Sequence, residues 1–362
     1  MKVLSDIDVF EKRVFVRADL DVPMESTNAD RLTTNASVIE TSAEFETGTR
    51  LTNLRGTINY LSEHSASQIL IAGHIDRPQK PDPSLSTKNL LPHLEKILER
   101  KINFSPQLTI DNLHLTQDSK SMVNGQMSNV ILLENLRFWP GEVANDAGFA
   151  KQLAAIGDVY VNEAFGNCHR NHASMVALAQ LLPHAAGLHL AEEVEVMSNL
   201  LSAATKPFIA VVGGAKIETK LPVIENLAKV ADLVLVGGEL PLEIAESGMK
   251  FSPNVLVAIL TPDGLEISQE STGQFAEKIK VAKTIIWNGP LGKYEEGHDK
   301  GTLAVASAVI DSQAYSVVGG GETTQFLATH GLISKFSFVS AGGGAMLAYL
   351  AGKELPGLKA LE

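Results

Sequence analysis

Short, nearly unbroken apolar runs recur along the chain at Arg13 to Val16, Gln68 to Ala72, Asn129 to Leu133, Asp158 to Val161 and Phe208 to Val212. They continue at Asp232 to Val236, Val255 to Leu260, Thr284 to Trp287, Ser316 to Val318 and Phe336 to Val339. Most lack the polar alternation of a half-exposed strand, so they predict strands covered on both faces. Helical spacing lies between them, at Asn89 to Arg100, Asn145 to Ala155, Leu221 to Val230, Gly301 to Ile310 and Thr324 to His330. Strand alternating with helix predicts an α/β protein with parallel sheets. A further helical stretch, Leu188 to Leu201, ends before Lys206-Pro207 and divides the strands into two comparable groups. The expected organisation is two doubly wound halves, 1–187 and 202 onward, joined by a connecting helix at 188–201. The least apolar stretch, Glu25 to Thr49, reads as an exposed loop or small excursion.

In open parallel sheets, ligands bind beyond the carboxyl ends of the strands. In the first half those ends read Arg17-Ala18-Asp19-Leu20-Asp21, Gly73-His74-Ile75-Asp76-Arg77, Glu134-Asn135-Leu136-Arg137, and Asn162-Glu163 leading to His169-Arg170. In the second half they read Gly213-Gly214-Ala215-Lys216, Gly237-Gly238, Asn288-Gly289-Pro290, and two triplets, Gly319-Gly320-Gly321 and Gly342-Gly343-Gly344. A glycine turn after a buried strand lets backbone approach a ligand and aims helix N–H groups at an anion. It equally well lets a helix pack tightly on its strand. Arginines at separate strand ends (Arg17, Arg77, Arg137, Arg170) are harder to assign to the surface. Guanidinium forks bind phosphate or carboxylate with charge-assisted bonds of about 1.5–3 kcal/mol each. A basic rim facing a glycine rim predicts a cleft that holds phosphates from both sides.

His74, His169 and His172 could ligate a metal, but surrounding arginines repel a cation, which favours hydrogen bonding to the anion. Lys216 and Lys220 are spaced i, i+4 and share a face if a helix starts near Ala215, where they would reach phosphate. Glu322 beside the first triplet either caps a helix or holds Mg²⁺; the residues alone leave both open.

Composition narrows the class. The 362 residues are 44% hydrophobic and 20% charged, as in a soluble globular protein of about two domains. A formal charge of -12 argues against general binding to nucleic acid or an anionic membrane. The single cysteine, Cys168, excludes an intrachain disulfide and a cysteine-built zinc site, which fits a reducing, cytoplasmic setting. Its neighbour His169 does not make it a nucleophile, since adjacent side chains point apart on most backbones. No Gly-x-Gly-x-x-Gly follows any strand, because Thr324 and Leu347 stand where the last glycine would be. No P-loop occurs, since neither Gly292-Lys293 nor Gly352-Lys353 precedes Ser or Thr.

From about Val14 to Leu361 the chain resembles the phosphoglycerate kinase family. The resemblance rests on Val16-Arg17-Ala18-Asp19 through Val22-Pro23, Gly73 to Pro78, Leu133 to Phe138, Tyr160 to Gly166 and His169 to Ser174. In the second half it rests on Gly213 to Lys216 with Lys220, Trp287 to Pro290, Tyr294-Glu295, both triplets, and Leu355-Pro356-Gly357. It implies two Rossmann-like domains, with 3-phosphoglycerate or 1,3-bisphosphoglycerate on the first and Mg·ATP or Mg·ADP on the second. A C-terminal segment, 346–362, would follow a second domain of 202–345 and return to the first. Asp19, Asp21, Arg50, His74, Arg77, Arg137 and Arg170 would form the substrate site, with His169 and His172 adding to its basic patch. Gly213, Lys216, Lys220, Gly238, Asn288, Glu295, Gly319, Gly320, Gly321, Glu322 and Thr323 would serve the nucleotide, with Glu295 on the ribose and Glu322 on Mg²⁺.

Arg50, Lys220, Gly320 and Gly343 would surround the transferring phosphoryl group as the domains close about the connecting helix. The implied reaction is reversible in-line transfer between an acyl phosphate and ADP, in glycolysis or gluconeogenesis, by a cytoplasmic monomer. Arg50 is assigned by its spacing to Thr57-Ile58, with Arg31 as second candidate. Against the family pattern, Asp21 replaces Asn, while Glu163, Thr219 and Glu322 replace Asp. The chain between Glu239 and Leu260 is also short, at a place where the family lines the nucleotide cleft. Two alternatives stay open: a non-catalytic phosphoglycerate-binding descendant, and a kinase of another small carboxylate.

Overall fold

The computed structural model describes residues 1–22, 50–108, 122–123 and 126–362. The 25–49 excursion and Arg31 lie outside the described residues. The chain divides into two compact units. The first comprises the described residues up to Val194 together with Glu354–Glu362, and the second runs from Glu195 to Lys353.

The first unit is built on six parallel strands: β1 (Arg13–Arg17), β2 (Gln68–Ala72), β3 (Asn103–Ser105), β4 (Val130–Leu133), β5 (Val159–Asn162) and β6 (His184–Ala186). Their order across the sheet is β3-β4-β2-β1-β5-β6. Val16 lies in register with Ile71 on one side and Val161 on the other, and all three are fully buried. Helix α1 (Leu54–Glu63) inserts Leu54, Ile58 and Leu61, and α2 (Leu91–Leu98) inserts Leu94 and Leu98, into the cluster formed by these strands. That i, i+4, i+7 stripe is how an amphipathic helix covers a sheet. Both helices cover the face presented by Val14, Val16, Ile69 and Ile71; Phe15, Leu70 and Tyr160 on the opposite face are fully buried as well, and polar chemistry is left to the carboxyl ends.

The second unit repeats the architecture with β7 (Phe208–Val212), β8 (Leu233–Val236), β9 (Val255–Val257), β10 (Thr284–Asn288), β11 (Tyr315–Gly319) and β12 (Phe338–Ser340), in the order β9-β8-β7-β10-β11-β12. The strand order reverses between β7 and β10, and in the first unit between β1 and β5. A crevice opens at such a reversal in doubly wound sheets. The reversal in the second unit is flanked by Gly213 and Asn288, and the one in the first by Arg17 and Asn162. Helix α3 (Leu188–Ser202) carries the chain across the division of the two units. The C-terminal turn α4 (Pro356–Lys359) belongs to the first unit, where Gly357 N–H donates to Cys168 O at 2.9 Å. Among the described residues no helix is long and apolar enough to cross a membrane.

Several boundaries differ from the sequence expectation for physical reasons. The edge strands β3 and β6 read Asn-Phe-Ser and His-Ala-Ala, too short and too polar to stand out as apolar runs. The run expected as a strand from Val255 to Leu260 pairs in parallel only to Val257; Leu260 then bridges antiparallel to Ile267. Two helices start earlier than their apolar periodicity shows, at Ile217 rather than Leu221 and at Gly321 rather than Thr324. In the latter the first turn is Gly-Glu-Thr, with no apolar residue to mark it.

Candidate active site

At the carboxyl ends of β1, β2, β4 and β5 the first unit gathers the basic residues singled out above. Arg17, the last residue of β1, is fully buried. Its Nε donates to Ser174 Oγ at 2.8 Å, one Nη donates to Ala18 O, and the other lies 2.8 Å from His74 Nδ1. A guanidinium has donors only, so Nδ1 accepts and the ring proton sits on Nε2. Nε2 faces Asp21 Oδ2 at 3.6 Å, beyond hydrogen-bond length. Burial, with the charges of Arg17 and Arg137, pushes His74 down to about 3 against the opposing pull of Asp21, so the ring is neutral.

Asp21 holds the turn after β2. Its Oδ1 accepts from Asp76 N at 2.8 Å, Asp76 has a φ of 53°, and Arg137 Nη1 donates to Asp76 O. Burial opposes ionisation of Asp21, but His74, the Asp76 N–H and Arg50 outweigh it and hold the carboxyl well below its usual range. Arg50 donates from Nη1 to Asp21 O at 2.6 Å and sits 3.8 Å from Asp19 Oδ1, which also accepts from Asn167 Nδ2 at 3.2 Å. Arg77 follows Asp76 and is exposed. Arg137 lies in a turn capped by Asn135, whose Oδ1 accepts from Arg137 N at 3.0 Å. It is pulled down to about 10 by burial first and then by the charge of Arg170. Arg170 is lowered by burial and by Arg77. His172 is lowered to about 4 by burial, Arg137, Arg17, Arg170 and His169.

Mutually repelling cations need a reason to converge. Among the described residues His74 Nε2, Arg137 Nε, His169 Nδ1, Arg170 Nε and His172 Nδ1 are buried without a hydrogen-bond partner. Each orphaned buried donor costs about 1–3 kcal/mol. A multiply charged anion with several acceptor oxygens would satisfy the arginine Nε–H groups and His74 Nε2–H together, and the Nδ1 atoms of His169 and His172 in the tautomer that carries the proton there.

The second unit supplies a backbone cradle. Trp287 Nε1 donates to Gly289 O at 2.8 Å, Gly214 N donates to Pro290 O at 2.7 Å, and Gly289 N donates to Thr323 Oγ1 at 2.8 Å. A Cβ on Gly213 would stand 2.2 Å from Pro290 O, and one on Gly238 2.5 Å from Gly214 N, so these turns interlock only as glycine. Helix α5 (Ile217–Val230) begins after them and carries Lys220, which is buried and donates from Nζ to Asn288 Oδ1. Asn288 Nδ2 in turn donates to Gly319 O at 3.0 Å. Burial lowers Lys220 to about 8 while Glu322 pulls it back up. Glu322 and Gly321 open helix α6 (Gly321–Thr329), following Gly320 with its φ of 97°. Gly343, with a φ of 47° and open space beside it, precedes the helical segment Gly344–Leu350. Glu295 is exposed in the turn Tyr294–Glu296.

The model of the phosphoglycerate kinase family matches residues 4–251 and 257–353. The chain belongs to the phosphoglycerate kinase family. Similar proteins include the phosphoglycerate kinase of Moorella thermoacetica, 35% identical over 407 residues with 99% of this chain and 98% of the relative covered. That of Desulforudis audaxviator is 32% identical over 409 residues, covering 100% and 99%. Among solved structures, phosphoglycerate kinase from Coxiella burnetii aligns with a TM-score of 0.77 at 30% identity, covering 99% of this chain and 98% of that one. The enzyme from Pyrococcus horikoshii aligns with a TM-score of 0.78 at 27% identity, covering 100% and 98%. Membership makes the chain a kinase, an enzyme with a nucleotide among its substrates.

The structure alters some roles read from sequence. Lys216 and Lys220 do not share a helical face: the helix begins at Ile217, and Lys216 precedes it in the left-handed region with a φ of 67°. Lys216 is exposed and Lys220 buried. The Thr323 hydroxyl accepts from Gly289 N and so braces the glycine turns. Cys168 is buried and pushed up to about 12 by burial, so its thiol stays protonated and inert. Sequence reasoning missed Glu142 and Ser174: Glu142 accepts from Ser174 Oγ at 2.6 Å and Ser174 N at 3.0 Å, which links it through Ser174 to Arg17. A buried glutamate cannot be told from an exposed one by residue type.

Proposed function

We propose that the chain catalyses reversible in-line phosphoryl transfer between 1,3-bisphosphoglycerate and ADP, giving 3-phosphoglycerate and ATP. The first unit holds the phosphoglycerate and the second the nucleotide. The observation that carries this reading is the set of partnerless buried nitrogens on Arg137, Arg170, His74, His169 and His172. A small molecule bearing phosphate and carboxylate supplies the missing acceptors, and Arg77 and Arg50 complete the ring of donors around it. Asp19 and Asp21 orient Arg50 and the Arg77 turn.

In the second unit Gly213, Gly238 and Gly319 to Gly321 bring backbone against the phosphates, Lys216 stands at their exposed edge, and Glu295 takes the ribose. Phosphoryl transfer asks for alignment and positive charge on the equatorial oxygens rather than covalent help. Lys220, Arg50 and the N–H groups beside Gly320 and Gly343 supply it, with Asn288 aiming Lys220. Among the described residues no three His, Cys, Asp or Glu groups gather as a metal site. A lone carboxylate fits Mg²⁺ that is held chiefly by phosphate and water. Glu322 would be that carboxylate, a reading supported by its nearness to the glycine turns: a Cβ built on Gly214 would lie 4.0 Å from its Oε2. Bound with the nucleotide and held in part by Glu322, Mg²⁺ would neutralise phosphate charge there. The reading is that of a monomeric glycolytic enzyme of the cytoplasm.

Calorimetric titration of each substrate tests the assignment. Arg170→Met is expected to weaken 3-phosphoglycerate binding at least tenfold and leave Mg·ATP binding within twofold. Equal loss of both, or of neither, would contradict it.

A further inference from the structure

Arg17 stands among the arginines at the strand ends, yet each of its three guanidinium nitrogens already has a partner within the fold. Its side chain is fully buried, and Nε and both Nη groups are taken by Ser174 Oγ, Ala18 O and His74 Nδ1. Behind it Ser174 Oγ–H donates to Glu142 Oε1 at 2.6 Å, and Glu142 Oε2 accepts Ser174 N–H at 3.0 Å. Tyr160, also fully buried, donates its hydroxyl to Ser174 O at 2.7 Å and holds that segment in place. The chain of donors therefore runs in two directions from one guanidinium, toward the buried Glu142 carboxylate and toward the imidazole of His74. The carboxylate compensates the buried charge, which an isolated arginine could not carry at this depth.

The far end of the chain is His74 Nε2, which is buried, has no hydrogen-bond partner and faces the Asp21 carboxylate with Oδ2 3.6 Å away. Imidazole can place its proton on either nitrogen, and the hydrogen bond at one decides the state of the other. We propose that Arg17 is a positioning residue for the phosphoglycerate site: its guanidinium, backed by Ser174 and Glu142, keeps His74 in the Nε2–H tautomer and so aims one neutral donor at the substrate. Without it only the Asp21 carboxylate, 3.6 Å from Nε2, favours Nε2–H, and a larger share of rings carries the proton on Nδ1 and presents a lone pair to an anion, a repulsive contact in place of an attractive one. The proposal rests on the reading that this site binds phosphoglycerate.

Nitrogen-detected NMR of the ¹⁵N-histidine-labelled full chain tests it without any variant. The His74 ring is expected as a pure Nε2–H tautomer, with Nδ1 unprotonated, unchanged between pH 5.5 and 8. A spectrum showing Nδ1–H, or a ring titrating near its ordinary value, would overturn the proposal. Arg17→Met is expected to give a mixed tautomer and to raise KM for 3-phosphoglycerate about 10- to 100-fold, the range of one hydrogen bond to a charged group. KM for ATP should stay within twofold, and Arg17→Lys should restore part of the loss. An Arg17→Met protein that folds yet keeps both the tautomer and the KM would sink it. Should Arg17→Met fail to fold, Ser174→Ala, which removes the Nε acceptor and the hydroxyl donor to Glu142 but leaves the guanidinium, is expected to shift the tautomer populations in the same direction. Titration of 3-phosphoglycerate into the labelled wild type separates the two readings: an unmoved Nε2 signal with the tautomer as stated would fault the substrate and leave Arg17's action on His74 intact.

Discussion

Lys220 Nζ donates to Asn288 Oδ1, so the buried lysine of α5 is held by a neutral amide at the end of β10. A neutral partner orients the ammonium without cancelling its charge. Burial lowers its pKa to about 8, and Glu322 alone pulls upward. If the charged form serves the nucleotide, kcat/KM for Mg·ATP, which reports the free enzyme, falls as pH rises through about 8. Lys220→Arg is expected to move that descending limb to higher pH, because a guanidinium stays protonated. Steady-state profiles from pH 6 to 9.5 check this, and a limb unmoved in Lys220→Arg would contradict it.

Acid stability follows from the buried histidines. Folded, His74 and His172 resist protonation down to about 3 and about 4, whereas unfolded they protonate near the ordinary 6.5. Between those values the unfolded chain binds more protons, so stability falls as pH drops from 6.5 toward 4. His189 works the other way: burial is outweighed by Glu193, its folded pKa is raised, and its contribution is present below 6.5 and lost as pH rises through the folded value. Urea midpoints at pH 7 and pH 4.5 are expected to differ less in His74→Asn/His172→Asn than in the wild type. An equal or larger difference in the double variant would refute the assignment.

The glycines are not equivalent. A Cβ on Gly289 would stand 2.1 Å from Gly213 O at a φ of 95°, in contact with backbone that cannot move aside. On Gly343 it would meet open space at a φ of 47°. Gly289→Ala is expected to cost about 4 kcal/mol, at the upper end for single substitutions. Gly343→Ala is expected to cost about 1–3 kcal/mol, the penalty of a backbone conformation with φ 47° and ψ -114° that a side chain rarely adopts, with no clash added. Chemical denaturation of both variants measures the difference, and equal costs would mean that the cradle is not interlocked.

Much of this was legible in the sequence because apolar runs mark buried parallel strands and because their ends carry the chemistry. The central strands β1, β2, β4 and β7 stood out as apolar runs, while β3 and β6 at the sheet edge did not. Residue type placed the arginines at one rim but could not distinguish Arg17, consumed by Ser174 and His74, from Arg137 and Arg170, which keep buried donors free. Spacing suggested that Lys216 and Lys220 act together; a left-handed residue at 216 separates them, and no periodicity reports a φ angle. Glu142 became visible only once folding brought Ser174 and Arg17 beside it.

The most direct test is turnover. In a coupled assay containing 3-phosphoglycerate, ATP and Mg²⁺, the wild type is expected to form 1,3-bisphosphoglycerate. Lys220→Ala is expected to lower kcat by about 10²–10³, the cost of removing one group that stabilises transition-state charge. Binding of 3-phosphoglycerate by a wild type that shows no turnover, or near-normal turnover in Lys220→Ala, would contradict the account.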